Sequence, residues 1–251
     1  MNKKGPIGIF DSGIGGVTVL KEIKKILPDE NYLYYSDSKN NPYGDKENKE
    51  ILNICDSVVQ FLLNNNCKMI IIACNTASAR AVNFLRDKYK EIPIIAIEPA
   101  YKMVYDFAYD KPTLVMATKG TIESEKFNLL YNKYNNNKTY LLPCIGLAEI
   151  IEQDKKEEIE KYLMEKIGKY RGAVKNVVLG CTHYPLIKKE IQEILGDIEF
   201  FDGSKRLAVH VKKVLERENL IEKKEGKIVF VDSQKSEEKK DRFFKILKNI
   251  Q

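Results

Sequence analysis

The stretch IIIACNTASA, residues 70–79, ends an apolar run in a cysteine followed by polar residues, and VVLGCTHYPL, residues 177–186, repeats that arrangement. The two cysteines, Cys74 and Cys181, lie 107 residues apart. The same offset carries IGIFDSG (7–13) onto LVMATKG (114–120), so Asp11 falls on Thr118. Each half of the chain therefore has a first strand ending in a polar, glycine-containing turn and a later strand ending in a thiol. A chain built this way is expected to fold as two similar units.

The pattern between these points sets the class. Short apolar runs at 6–10, 32–36, 68–73, 93–97, 113–117, 139–142, 175–179, 198–201 and 227–231 alternate with amphipathic stretches near 16–26, 47–65, 76–89, 122–134, 147–170, 184–195, 204–219 and 236–249. Strands that alternate with helices imply βαβ units, and continuous apolar runs imply parallel sheets covered on both faces. The expected fold is α/β: two similar, pseudo-symmetric domains with mainly parallel sheets and an active site in the cleft between them. Residues 1–97 with 204–251 are assigned to the first domain, which carries Cys74, and 98–203 to the second, which carries Cys181. The helix, strand and helix after 203 complete the first sheet in this scheme, and the asparagine-rich YNKYNNNKTY (131–140) is a turn within the second domain.

Composition narrows the function. With 251 residues and 43% hydrophobic content the chain can bury a core. No apolar run approaches the ~20 residues that cross a bilayer, and the N-terminus lacks an apolar segment of secretory-signal length. A cytoplasmic location without membrane association is the expectation. The net charge of +6 comes from lysines interleaved with glutamate rather than from a basic stripe, so no nucleic-acid partner is expected. Five scattered cysteines and no CxxC make neither a disulfide framework nor a zinc site, and two histidines leave few metal ligands.

In open α/β sheets ligands bind beyond the carboxyl ends of the strands. After each cysteine a helix can begin, with Asn75, Thr76, Ser78 or Thr182 as caps, and its free N–H groups favour an anion. There a thiol pKa is expected to fall toward neutrality, as a cysteine base requires. Cys55, Cys67 and Cys144 read as small packed hydrophobes; Cys74 and Cys181 read as functional, because both leave an apolar run at its polar end. Two thiols facing one cleft suit the inversion of a carbon stereocentre: one removes a proton from one face while the other delivers a proton to the opposite face. No cofactor or metal is called for. FDSGIGG supplies Asp11 and Ser12 and is neither a dinucleotide fingerprint nor a P-loop. Asp11 reads equally well as a helix cap, and His183 as a structural imidazole or a proton-transfer aid.

Taken in order, IGIFDSGIGGVTVLKEI, NPYGDK, IIIACNTASA, ATKGTIESEKF and VVLGCTHYPLI closely resemble the glutamate racemases of the aspartate/glutamate racemase superfamily, over residues 7 to about 210. The resemblance implies cofactor-independent interconversion of L- and D-glutamate, supplying D-glutamate for peptidoglycan, by a protein expected to be a homodimer. It implies that Cys74 acts on the D-enantiomer and Cys181 on the L-enantiomer, with Asp11 and His183 as an auxiliary acid/base pair. Substrate contacts carry over to Asp11, Ser12, Tyr43, Gly44, Asn75, Thr76, Thr118, Thr121, Thr182 and His183. Glu152 matches a further auxiliary position. Two segments depart from the family pattern: CIGLAEIIE (144–152) stands where a proline-rich run is usual, and SDSKNN precedes the PYG. Aspartate racemase is the nearest alternative; its second motif typically carries Glu where this chain has His183. A decarboxylase of the same fold would need one thiol only. From another class, the chain could be a non-catalytic module binding a small anion.

Overall fold

The computed structural model describes residues 4–249. In chain order, β1 (Ile7–Asp11), α1 (Val17–Ile26), β2 (Tyr32–Ser36), α2 (Asn48–Asn64), β3 (Met69–Ile72), α3 (Asn75–Lys88) and β4 (Ile94–Ala96) come first. Next are α4 (Tyr101–Ala108), β5 (Thr113–Ala117), α5 (Lys119–Ile122), α6 (Glu125–Tyr134), β6 (Thr139–Pro143), α7 (Leu147–Glu152), α8 (Lys156–Ile167), β7 (Asn176–Gly180), α9 (Lys188–Leu195) and β8 (Glu199–Phe201). The chain closes with α10 (Ser204–Arg217), β9 (Ile228–Asp232) and α11 (Glu237–Asn249). Among the described residues no helix is long and apolar enough to cross a membrane.

Two all-parallel sheets result, one in the order β4-β3-β1-β2-β9 and the other in the order β6-β5-β7-β8. Read from the other edge, the second becomes β8-β7-β5-β6, the same path as β4-β3-β1-β2. The strands ending at the two thiols, β3 and β7, thus hold equivalent places, each beside the first strand of its sheet, β1 or β5. β9 adds an edge strand to the first sheet by pairing with β2.

Side-chain alternation explains why each sheet carries helices on both faces. Ile7, Ile9, Met69 and Ile71 pack with Leu20, Ile23, Val211 and Phe243 from α1, α10 and α11. Phe10, Ile70 and Ile72 point the other way and meet Val59, Leu62, Ala81 and Leu85 of α2 and α3. In the second sheet Leu114, Met116, Val177 and Leu179 pack under α7, α8 and α9, while Val115 and Val178 face α4 and α6. Each sheet with its helices forms a lobe.

All nine expected strands are present. The single helical stretch expected over 147–170 is two helices, because Asp154 adopts a left-handed φ of 57° and the chain turns there. Helix α4 was not expected. Its YKMVYDFA holds three aromatic residues and a valine, all of modest helix propensity, and its register is set by burial of Tyr101, Val104 and Ala108.

Candidate active site

The loop between β1 and α1, residues 12–16, runs between the lobes, and its backbone is held on both sides. Asp11 is fully buried and accepts from the Gly16 amide at 2.9 Å. Its carboxylate also accepts from Thr182 Oγ1 at 3.3 and 3.2 Å, the first contact between lobes. Thr18 Oγ1 returns the contact by donating to the Thr182 carbonyl at 3.1 Å. Burial pushes the Asp11 carboxyl above its ordinary range, against the opposing pull of His183 and the Gly16 amide.

Cys74 ends the run of β3 and stands at the N-terminus of α3, with Sγ 3.9 Å from Ser12 Oγ. The caps expected here are absent. Asn75, Thr76 and Ser78 lie inside the first turn of α3, Cys74 itself holds the N-cap position, and the Ser78 hydroxyl turns back to the Ile72 carbonyl at 3.2 Å. The thiol also departs from expectation: burial first, then the Asp11 carboxylate, raise the Cys74 pKa, against the bond it accepts from the Ala77 amide. Desolvation wins over the helix terminus, so the resting group is the thiol.

Cys181 lies just past β7 and is buried like Cys74. Its Sγ is 3.7 Å from His183 Nδ1, and His183 Nε2 is 2.6 Å from Glu152 Oε2. A three-residue relay, Glu152–His183–Cys181, is thereby aligned. Burial alone would lower the imidazole pKa, but the bonds to Cys181 and Glu152 outweigh it and hold the value well above 6.5. Burial would likewise raise Glu152, yet His183, Lys239 and the Ile14 amide pull it below the usual carboxylate range. Both Glu152 oxygens accept from the Ile14 amide, at 3.2 and 3.1 Å, a second bridge between lobes. Thr182 does not cap a helix; the chain after it makes a short 3-10 turn, Tyr184–Ile187, with His183 at its N-cap.

A third group of contacts lies at Thr118. Its hydroxyl caps α5 by accepting from the Thr121 amide at 3.1 Å, and meets Thr76 Oγ1 across the lobes at 2.8 Å. Thr121 Oγ1 is 2.9 Å from the same oxygen. Gly44 accepts from the Gly120 amide at 3.0 Å, and a β-carbon on Gly120 would fall 2.7 Å from that carbonyl, so the approach requires glycine.

These groups surround one cleft, lined by Ser12, Tyr43, Gly44, Cys74, Asn75, Thr76, Thr118, Cys181, Thr182 and His183 among others. Of the expected site residues, Asp11, Thr121 and Glu152 stand behind this lining and act on it through Thr182, Thr118 and His183. The two expected auxiliary groups have separate sets of partners: Thr182 and Gly16 for Asp11, Glu152 and Cys181 for His183. Asn75 Oδ1 is buried and meets no donor among the described residues, an acceptor left for a ligand.

Some contributors were not anticipated. Asp37 accepts from Tyr43 Oη at 2.6 Å and so fixes the ring in the cleft wall. Cys144, expected only to pack, lines the cleft as well; burial pushes its thiol up to about 12. The position of Cys144 at the end of β6, equivalent to Asp37 after β2, was the available signal.

A pair of matched parallel α/β lobes with a thiol from each on a shared polar cleft is the architecture of a racemase superfamily, and the chain belongs to the Asp/Glu/hydantoin racemase family, whose model matches residues 7–211. It is 44% identical to a glutamate racemase of Clostridium perfringens over 223 residues, covering 87% of this chain and 86% of the relative. It is 43% identical to a glutamate racemase of Clostridium botulinum over 245 residues, 94% of this chain and 95% of the relative. The structure of glutamate racemase from Francisella tularensis in complex with D-glutamate superimposes with a TM-score of 0.83 at 30% identity, covering 98% of this chain and 95% of that one.

Proposed function

We propose that the protein is a glutamate racemase that inverts the α-carbon of glutamate by two-thiol proton transfer without a cofactor, in a lobe arrangement of residues 1–97 with 204–251 against 98–203. The observation that carries the reading is the placement of Cys74 and Cys181 at equivalent strand ends on one cleft. In the L-to-D direction Cys181 removes the α-proton and Cys74 delivers one to the opposite face. A Cys74 held protonated by burial and by Asp11 suits that delivery, and the Glu152–His183 pair beside Cys181 suits the removal.

Substrate charges have complementary groups. The free Asn75 Oδ1 can accept from an ammonium, and the hydroxyls of Ser12, Thr76, Thr118 and Thr182 with the first amides of α3 can receive carboxylates. The family relatives named as glutamate racemases support glutamate over aspartate. In the cell the product would supply D-glutamate to peptidoglycan, and the protein would work as a homodimer, which light scattering checks directly.

The deciding experiment incubates purified protein with L-glutamate and no added cofactor, and follows optical rotation by circular dichroism. Loss of signal toward a racemic mixture is expected. A stable L-glutamate signal, or turnover of aspartate at a comparable rate, would overturn the reading.

A further inference from the structure

Helix α7 ends in Glu152, the carboxylate that orients His183, yet it has only six residues. A helix so short has little stability of its own, and its last carbonyls have no partner within it. The Ile150 and Ile151 carbonyls accept from the Lys155 and Asp154 amides of the turn that follows, and the last two, Ile151 and Glu152, are bonded from the other lobe as well. Arg242 of α11 donates Nη2 to the Ile151 carbonyl at 2.6 Å and Nη1 to the Glu152 carbonyl. The same guanidinium lies 3.3 Å from Asp154 Oδ1 in the turn that follows. One helical turn away, Lys239 Nζ sits 3.7 Å from Glu152 Oε1. The backbone and the side chain of Glu152 are thus each engaged by α11.

The supports behind α11 are firm. Phe243 is fully buried, with its ring 4.6 Å from Tyr34 and 4.6 Å from Phe230. Tyr34 in turn donates to the Gly13 carbonyl at 2.8 Å, in the loop whose Ile14 amide also reaches Glu152. An exposed ion pair is worth little by itself. Here the carboxylate is 4% exposed and the guanidinium meets main-chain carbonyls at a helix end, where position rather than net attraction is what the contact sets.

We propose that Arg242 and Lys239 are positioning residues for the Cys181 proton transfer: α11 reaches across from the first lobe, caps α7, and holds Glu152 so that it orients His183 against Cys181. This rests on the racemase reading above. The C-terminal helix thereby ties the Cys181 relay to the lobe that carries Cys74.

The test uses the full chain as Arg242→Met, Lys239→Met and Arg242→Lys, with Lys240→Met as a neighbouring surface control whose amine pairs only with Glu237 among the described residues. The chain has two histidines, so the ring N–H resonances of His183 are readily assigned. A downfield Nε2–H signal is expected in the wild type and the control, and should shift or be lost to exchange in the Arg242→Met and Lys239→Met proteins. In turnover, these two variants should lose up to about a hundredfold in kcat, with partial recovery in Arg242→Lys. The deuterium isotope effect on kcat/KM should rise with L-[2-2H]glutamate, where Cys181 breaks the labelled bond, and not with D-[2-2H]glutamate. Lys239→Met leaves the α7 carbonyls capped and keeps the test open should Arg242→Met not fold. An unmoved His183 resonance with kcat within twofold of wild type overturns the proposal, as does an activity loss with both isotope effects unchanged. A wild-type protein without racemase activity would instead sink the reading of function, and the His183 resonance would still decide whether α11 holds the pair.

Discussion

Gly15 and His183 are in van der Waals contact across the lobes, so close that a β-carbon on Gly15 would lie 2.5 Å from the imidazole Nδ1. Gly13 stands in the same relation to Glu152, with a β-carbon 2.6 Å from Oε2. The two glycines of one loop therefore shape the seat of both members of the pair. The requirement is for space, since neither position has a left-handed φ.

Gly15→Ala should displace His183 from Cys181. Overpacking of this kind costs about 1–3 kcal/mol in stability, and the lost alignment should lower kcat about ten- to a hundredfold. Steady-state kinetics with a thermal melt checks both; an alanine variant with wild-type kcat would mean that the loop yields without moving the imidazole.

Cys74→Ala and Cys181→Ala should each abolish racemisation while leaving the fold intact, because inversion needs a group on each face. Optical rotation at long incubation is the measurement. Racemisation near the wild-type rate in either variant would remove that thiol from the mechanism.

The Glu152–His183 pair has a predictable pH signature. His183 is raised above 6.5, so its contribution to stability is complete below that value and is lost as pH climbs through the folded pKa. Glu152 is lowered from 4.5, so its contribution is complete above that value and is lost as pH falls through the folded pKa. The difference in melting temperature between wild type and His183→Asn should therefore be largest between pH 4.5 and 6.5 and shrink on the alkaline side. A difference that grew steadily toward pH 9 would reverse the sign argued here.

Lys68 and Glu30 form a buried ion pair at 2.7 Å, and Lys68 Nζ also donates to the Leu220 carbonyl at 2.7 Å. Removing one partner of such a pair costs about 3–5 kcal/mol. Lys68→Met should lower stability to urea by that amount, and adding Glu30→Gln should recover part of it, since an amide oxygen can still accept from the Glu222 amide. No recovery in the double variant would show that the Leu220 contact carries the loss.

Much of this was legible in the residues because the signals are local. Nine strands, the doubled topology and the placement of both thiols follow from apolar runs and a fixed offset, which depend on neighbours in sequence. What was not legible depends on partners far along the chain. The capping at Cys74 was misjudged because a residue's cap role depends on where the helix begins by one position. The thiol pKa was misjudged because burial of Cys74 under Asp11 and Ser12 is a tertiary fact. The same holds for Glu152: CIGLAEIIE looks unlike its family counterpart, yet the carboxylate meets His183, 31 residues on, and Arg242 comes from 90 residues away.

The hydroxyl pair Thr76–Thr118 joins the lobes with no net charge, whereas Lys239 and Glu152 join them through opposite charges. Dissolved ions weaken the second kind of contact and leave the first nearly untouched. Lys239 is 25% exposed, so its attraction is open to that screening. Rising ionic strength would thus slacken one side of the lobe junction while the threonine side keeps its grip. Glu152 itself keeps the bonds from His183 and the Ile14 amide, so salt loosens the lysine contact without releasing the carboxylate.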